Sequence, residues 1–177
     1  MQKSSIHIAF QHARPGEWKI IQTIAHATWP VTYGQLLPAG QLEYMLDLIY
    51  NEEAIKQQMN LAQQFIIGYS SNEPLGFASI EKQFKSSSSM MIHKLYILPA
   101  FQGNGIGRIF LNYLTNLATQ TGHSELTLKV FVRNQNAIRF YQHLGFHSIG
   151  EVVTEIGNGY TVKDYVMLRE IGNGLLA

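Results

Sequence analysis

The sequence predicts one α/β domain on a mixed, mostly antiparallel sheet of about seven strands with about four helices, in the order β-α-α-β-β-β-α-β-α-β-β. Three observations predict it. Stretches with period-two alternation are interleaved with stretches of helical period, the mark of a sheet covered by helices. The 177 residues, 46% of them hydrophobic, suffice for one real core and not for two. Residues 91–121 also read without a break as a buried strand, a short Gly-rich loop and an amphipathic helix.

In chain order, residues 5–12 alternate as a strand, with Ile6, Ile8 and Phe10 on one face, until Arg14-Pro15-Gly16 breaks it. Residues 17–28 form a helix with Trp18, Ile21, Ala25 and Thr28 on one stripe. Residues 29–34 read as an aromatic loop, and Pro38-Ala39-Gly40 as a second break. Residues 41–60 are helical, in one or two pieces, with Leu42, Met45, Leu46 and Ile49 inward. Strands follow over 63–69 and 75–84, then a Ser-rich hairpin loop over 85–89.

In the next strand, alternation puts Met91, His93, Leu95 and Ile97 on one face, with Ile92, Tyr96 and Leu98 on the other. Pro99 ends it, because proline cannot donate to a ladder. Ile106, Phe110, Tyr113, Leu114, Leu117 and Ala118 fall at helical spacing, with Gly122 past the end. A strand over 125–132 precedes a helix over 135–144, capped by Asn134 and ended by Gly145. A last hairpin, 147–156 and 160–169, turns across Gly157-Asn158-Gly159.

Composition removes several function classes. A formal net charge of +1 marks no nucleic-acid or anionic-membrane surface. No apolar run approaches spanning length, and the start of the chain does not read as a signal peptide. With no cysteine there is no disulfide, thiolate metal site or acyl-cysteine intermediate. The seven histidines show no metal-ligand spacing, so no metal is expected, and the expected location is cytoplasmic.

The chemistry lies in Gln102-Gly103-Asn104-Gly105-Ile106-Gly107. Glycines let the backbone turn tightly and approach a ligand, and the helix that follows opens with unpaired N–H groups at the positive end of its dipole. Such a loop suits a pyrophosphate; the glycines alone fit a plain turn equally well. A P-loop would need Lys and then Ser or Thr after the last glycine, where Arg108 stands. A dinucleotide fingerprint would need a glycine at that same position.

This hexapeptide, straight after a strand ending in Pro, resembles the [Q/R]-x-x-G-x-[G/A] acetyl-CoA loop of the GNAT N-acetyltransferase superfamily. Residues 134–146 resemble that superfamily's N-x-x-A-x-x-x-Y-x-x-x-G-F segment, with Asn134, Ala137, Tyr141, Gly145 and Phe146 at the marked positions. The resemblance covers residues 75–168 well and the first third more loosely. It implies a single acetyl-CoA-binding domain over 1–170, with 171–177 as a loose tail. It implies pantetheine lying along Leu95, Tyr96 and Ile97, and pyrophosphate on the N–H groups from Gln102, Gly103, Asn104, Gly105, Ile106, Gly107 and Arg108. Asn134 and Ala137 would line the cofactor arm, and an N–H near Ile97 would polarise the thioester.

Tyr141 follows Ala137 by one helical turn. Taken alone it fits a core tyrosine with a satisfied hydroxyl; the resemblance makes it the general acid for the departing thiolate. The amine must lose a proton, at about 4.6 kcal/mol for a pKa of ~10.4 at pH 7, so a base is useful. Superfamily members often carry an acid on the strand before the loop, near Met91 here, yet no Asp or Glu falls between Glu81 and Glu125. Glu81 and His93 are the candidate bases, with a surface acid and a core histidine as the ordinary readings. Trp29 and Tyr33 are candidates for stacking on the acceptor, against a plain role in the core.

The segment from Trp29 to Leu46 is similar to that of bacterial polyamine-acetylating members of the superfamily. Expected partners are acetyl-CoA and a small amine such as a polyamine. A protein N-terminus or lysine, or a non-catalytic acyl-CoA sensor, are the alternatives. Neither nucleic acid nor membrane is an expected partner, and the resemblance is compatible with a homodimer.

Overall fold

The computed structural model describes residues 7–84, 86 and 88–172. One seven-stranded sheet runs through it in the order β1-β2-β3-β4-β5-β7-β6. Its strands are β1 (Ala9–His12), β2 (Gln64–Ser70), β3 (Glu73–Lys82), β4 (Ser89–Ile97), β5 (Glu125–Phe131), β6 (His147–Gly157) and β7 (Tyr160–Glu170). All neighbours are antiparallel except β4 and β5, joined by the crossover helix α4 (Ile106–Gln120). Of the first predicted strand, residues 5 and 6 lie outside the described residues.

Alternation along the central strands builds two cores. Ile66, Ala78, Met90, Ile92 and Leu128 pack against α4 and against Ile138 of α5 (Gln135–His143). Phe65, Ile67, Phe77 and Val162 pack on the other face, against α1 (Trp18–Tyr33), α2 (Gln41–Tyr50) and α3 (Glu52–Leu61). No helix among the described residues is long and apolar enough to cross a membrane.

The described residues form five α-helices, because Asn51 divides the predicted 41–60 helix. It sits in extended geometry (φ −68°, ψ 163°), accepts from the Ala54 N–H (2.8 Å) and donates to the Asp47 carbonyl (2.7 Å). One side chain thereby caps both pieces.

Two further expectations are corrected. Residues 29–33 are not an aromatic loop but the last turns of α1, which runs through Pro30 to Tyr33. A proline inside a helix costs about 3 kcal/mol. Burial of Trp29, and its edge contacts with Tyr33 and Tyr50 at 4.9 and 5.5 Å, offset that cost. The alternation of residues 91–97 also fails. Ser79 pairs with Lys94 and Ile80 with Ile92, so His93 is a β-bulge. The extra residue swaps the faces, and Leu95 and Ile97 join Met90 and Ile92 on the α4 side. Ile171, assigned by the sequence to the tail, is buried and donates its N–H to Ser124.

Candidate active site

β4 and β5 pair only from Ser89↔Glu125 to Ile92↔Leu128. Beyond that point β4 stays with β3 as far as Ile97, and β5 stays with β7 as far as Phe131↔Asp164. The sheet therefore splits in its middle. Leu98 donates its N–H to Leu75, so by ladder alternation the N–H groups of Leu95 and Ile97 face the gap. A cleft of about 1410 Å³ opens here, bounded by α1, β4, the Gly-rich loop, β5 and α5.

At one end of the cleft stands the Gly-rich loop. Gly103 and Gly105 both have φ +77°, a conformation L side chains disfavour, and a Cβ at either would meet no protein atom within 4 Å. The N–H groups of Gly103, Asn104, Gly105, Ile106 and Gly107 donate to no acceptor in the protein, and Gly105 caps α4 without a side-chain bond. Five consecutive free amides at a helix N-terminus form an anion cradle. Exposed Arg108 and Arg133 also line the cleft. Gln102 braces the loop by donating from Nε2 to the Ile97 carbonyl (2.8 Å). Asn104 does not line the cleft; its amide donates to the Phe101 and Gln102 carbonyls and shapes the turn. These residues fit a diphosphate-bearing cofactor, with the open edge of β4 positioned for an amide-bearing arm.

From the opposite side α5 supplies Ala137 and Tyr141, one turn apart and both lining the cleft. The Tyr141 hydroxyl forms no hydrogen bond with the protein, and the ring is held by Phe140 and Phe146 at 5.2 and 5.6 Å. Burial, then the nearby Tyr33 phenol, pushes its pKa up, so it stays protonated through the neutral range. Asn134 accepts from the Ala137 N–H (3.1 Å) as a true N-cap while also lining the cleft.

The two candidate bases meet. His93 Nε2–H donates to Glu81 Oε2 at 2.8 Å, since an ionised carboxylate can only accept. That leaves Nδ1 with the lone pair and no protein partner. His93 lines the cleft; Glu81 does not, and acts on His93 from behind. Desolvation lowers the His93 pKa and the bond to Glu81 partly restores it, so the ring is neutral at pH 7.

On the α1 side Trp29 and Tyr33 line the cleft together with Tyr50 and Tyr96. Burial raises the pKa of all three phenols. Trp29 Nε1 is the one fully buried side-chain polar atom without a partner among the described residues.

Lys94 and Asp164 are among the cleft residues that escaped the sequence reading. Lys94, displaced onto the α3 side by the bulge, donates to Gln58 Oε1 (2.6 Å) and Gln63 Oε1 (2.7 Å), and burial brings its pKa down to about 7. Asp164 on β7 lies two residues from the inward-facing Val162, and burial raises its pKa. Its one signal in the sequence was an acid at an inward position of an alternating strand.

The Acetyltransferase (GNAT) family profile matches residues 19–146, and the chain belongs to that family. Among particular relatives, it is 31% identical over 86 residues to an uncharacterized N-acetyltransferase of Methanocaldococcus jannaschii, covering 46% of this chain and 38% of that protein. It is 36% identical over 76 residues to the peptidyl-lysine N-acetyltransferase YiaC of Escherichia coli, covering 42% and 44%. The chain thus spans less than half the length of these two relatives. The crystal structure of PaiA N-acetyltransferase from Thermoplasma acidophilum in complex with coenzyme A has the same fold, with TM-score 0.76 and 19% identity over 93% of this chain and 99% of that one.

Proposed function

We propose that the chain transfers an acetyl group directly from acetyl-CoA to a primary amine of a small molecule such as a polyamine. The observation that carries this reading is the run of five free amides continuing into an open strand edge, with a partnerless phenol opposite. The amides of residues 103–107 take the diphosphate, and the N–H groups of Leu95 and Ile97 take the arm and the thioester oxygen. Bound acetyl-CoA supplies an activated acyl carbon.

His93 Nδ1 accepts the proton that the ammonium must lose, directly or through one water, with Glu81 fixing its tautomer. The neutral nitrogen then forms the C–N bond while the C–S bond breaks. Leu95 and Ile97 hold the negative charge that develops on the carbonyl oxygen. Tyr141 donates its proton as the thiolate departs, the nitrogen sheds a second proton as it becomes the amide and so restores the phenol, and the proton taken at His93 leaves to solvent.

A lysine side chain in a peptide is the second reading, favoured by the name of the Escherichia coli relative. The test is CoA-thiol release from acetyl-CoA across diamines, polyamines, amino acids and lysine peptides. Turnover on free amines upholds the proposal, turnover on peptides alone shifts it to the second reading, and acetyl-CoA binding without turnover on any amine overturns it.

A further inference from the structure

Asp164 is a half-buried carboxylate on the cleft wall that the protein leaves unpaired. Among the described residues it has no hydrogen-bond partner and no ion pair within 4 Å, although desolvating a carboxylate without a partner is costly. Lys129, exposed on the neighbouring strand, is the nearest cationic influence and does not reach ion-pairing distance. Asp164 and Tyr33 both line the cleft within electrostatic reach of each other, and Tyr33 packs edge-on against Trp29 at 4.9 Å. An unpaired acid in a cleft that tyrosine and tryptophan rings also line suits a cation.

The sheet order says which cation. The acyl-transfer edge is β4, whereas Asp164 is on β7, two strands away. At ~4.8 Å per strand the two lie about 10 Å apart even without the splay. A carboxylate there does not serve the reacting nitrogen, which needs to be neutral and has His93 on β4 beside it.

Resting on the acetyltransferase reading above, we propose that Asp164 selects the acceptor: its carboxylate holds the non-reacting ammonium of a primary amine that carries a second positive charge one short alkyl chain away. The Asp164 side chain and the amine's position inside the gap narrow the span to one that an extended four- or five-carbon chain covers.

The experiment compares 1,4-diaminobutane with butylamine on wild type and Asp164→Asn. Asp164→Asn should raise KM for the diamine tenfold or more and leave KM for butylamine and acetyl-CoA within twofold. It should also raise Tm, because an unpaired half-buried charge is removed; a merely structural carboxylate would lower it. Asp164→Glu, which keeps the charge, should recover part of the diamine preference. Equal losses on both amines, no loss on either, or a wild type indifferent to the second charge would each overturn the assignment. Calorimetric titration of 1,4-diaminobutane into the CoA-saturated protein separates this inference from the proposed activity. If wild type acetylates no amine, the activity reading fails, yet diamine binding lost in Asp164→Asn still upholds the assignment and absent binding overturns it.

Discussion

Replacing Tyr141 with Phe separates chemistry from folding unusually well, because its hydroxyl has no partner in the protein. Removing the oxygen leaves no orphaned donor or acceptor, and the ring contacts with Phe140 and Phe146 persist. Stability should therefore stay within about 0.5 kcal/mol of wild type. The effect on rate follows from acidity. An ordinary phenol at ~10 lies 1.5 above an ordinary thiol at ~8.5, so full proton transfer to the thiolate is uphill by about 2 kcal/mol, and burial of Tyr141 makes it more so. In the proposed mechanism the hydroxyl thus acts mainly as a hydrogen-bond donor to developing negative charge, a bond of about 1.5–3 kcal/mol, with transfer completing late. Loss of that bond corresponds to a fall in kcat of about 10- to 150-fold, at or below the lower end of what general acids supply. KM for acetyl-CoA should not move. Steady-state kinetics with thermal melts reads all of this. An unchanged kcat would refute the acid role, and a Tm lower by several degrees would refute the claim that the hydroxyl is unpaired.

Three further outcomes follow from other parts of the site. In the proposed mechanism His93 acts as a neutral base, so kcat/KM should fall as pH drops through its lowered pKa, below about 6.5. The Glu81 bond raises that pKa, so Glu81→Gln should move the acid limb to lower pH; a limb that does not move would disconnect the dyad from catalysis. Gly105→Ala meets no protein atom, so its cost to folding is the left-handed backbone alone, about 1–2 kcal/mol. Its Cβ enters the cradle and should weaken CoA binding about tenfold in calorimetry, and an unchanged Kd would remove the cradle from the binding site. For Lys94, a folded pKa of about 7 against ~10.4 unfolded means that the unfolded chain binds more protons between those values. Stability should rise with pH across that window, by an amount on the order of 5 kcal/mol at most, and Lys94→Met should flatten the rise in paired denaturation curves.

Much of this site was legible because its parts are local. A Gly-rich loop between a strand and a helix, and a helix with Asn134, Ala137 and Tyr141 one turn apart, are each contained within a few residues. The same locality explains why the elements of 64–170 fall close to where periodicity puts them. Three features were not legible. The His93 bulge adds one residue relative to β3, and nothing within 91–97 distinguishes continuous alternation from alternation that changes face. Pro30 reads as a breaker, because Trp29 beside it is held in part by rings from other elements, Tyr50 and Tyr96. Asp164 looks like any acid in a strand until the sheet places it across from Phe131 and within electrostatic reach of Tyr33.

The short β4–β5 ladder also has a mechanical meaning. Only four rungs of ladder join β1–β4 to β5–β7, so the two halves of the sheet meet on one short seam, with the apex of the wedge at Ile92 and Leu128. A small rotation about that apex moves the far end of β4 relative to Tyr141 by an amount that grows along the strand. In the proposed reaction the distance between nucleophile and acyl carbon then depends on a lever whose fulcrum is remote from both. Substitutions that loosen the packing at Ile92 or Leu128 should slow the reaction without touching any group that performs it.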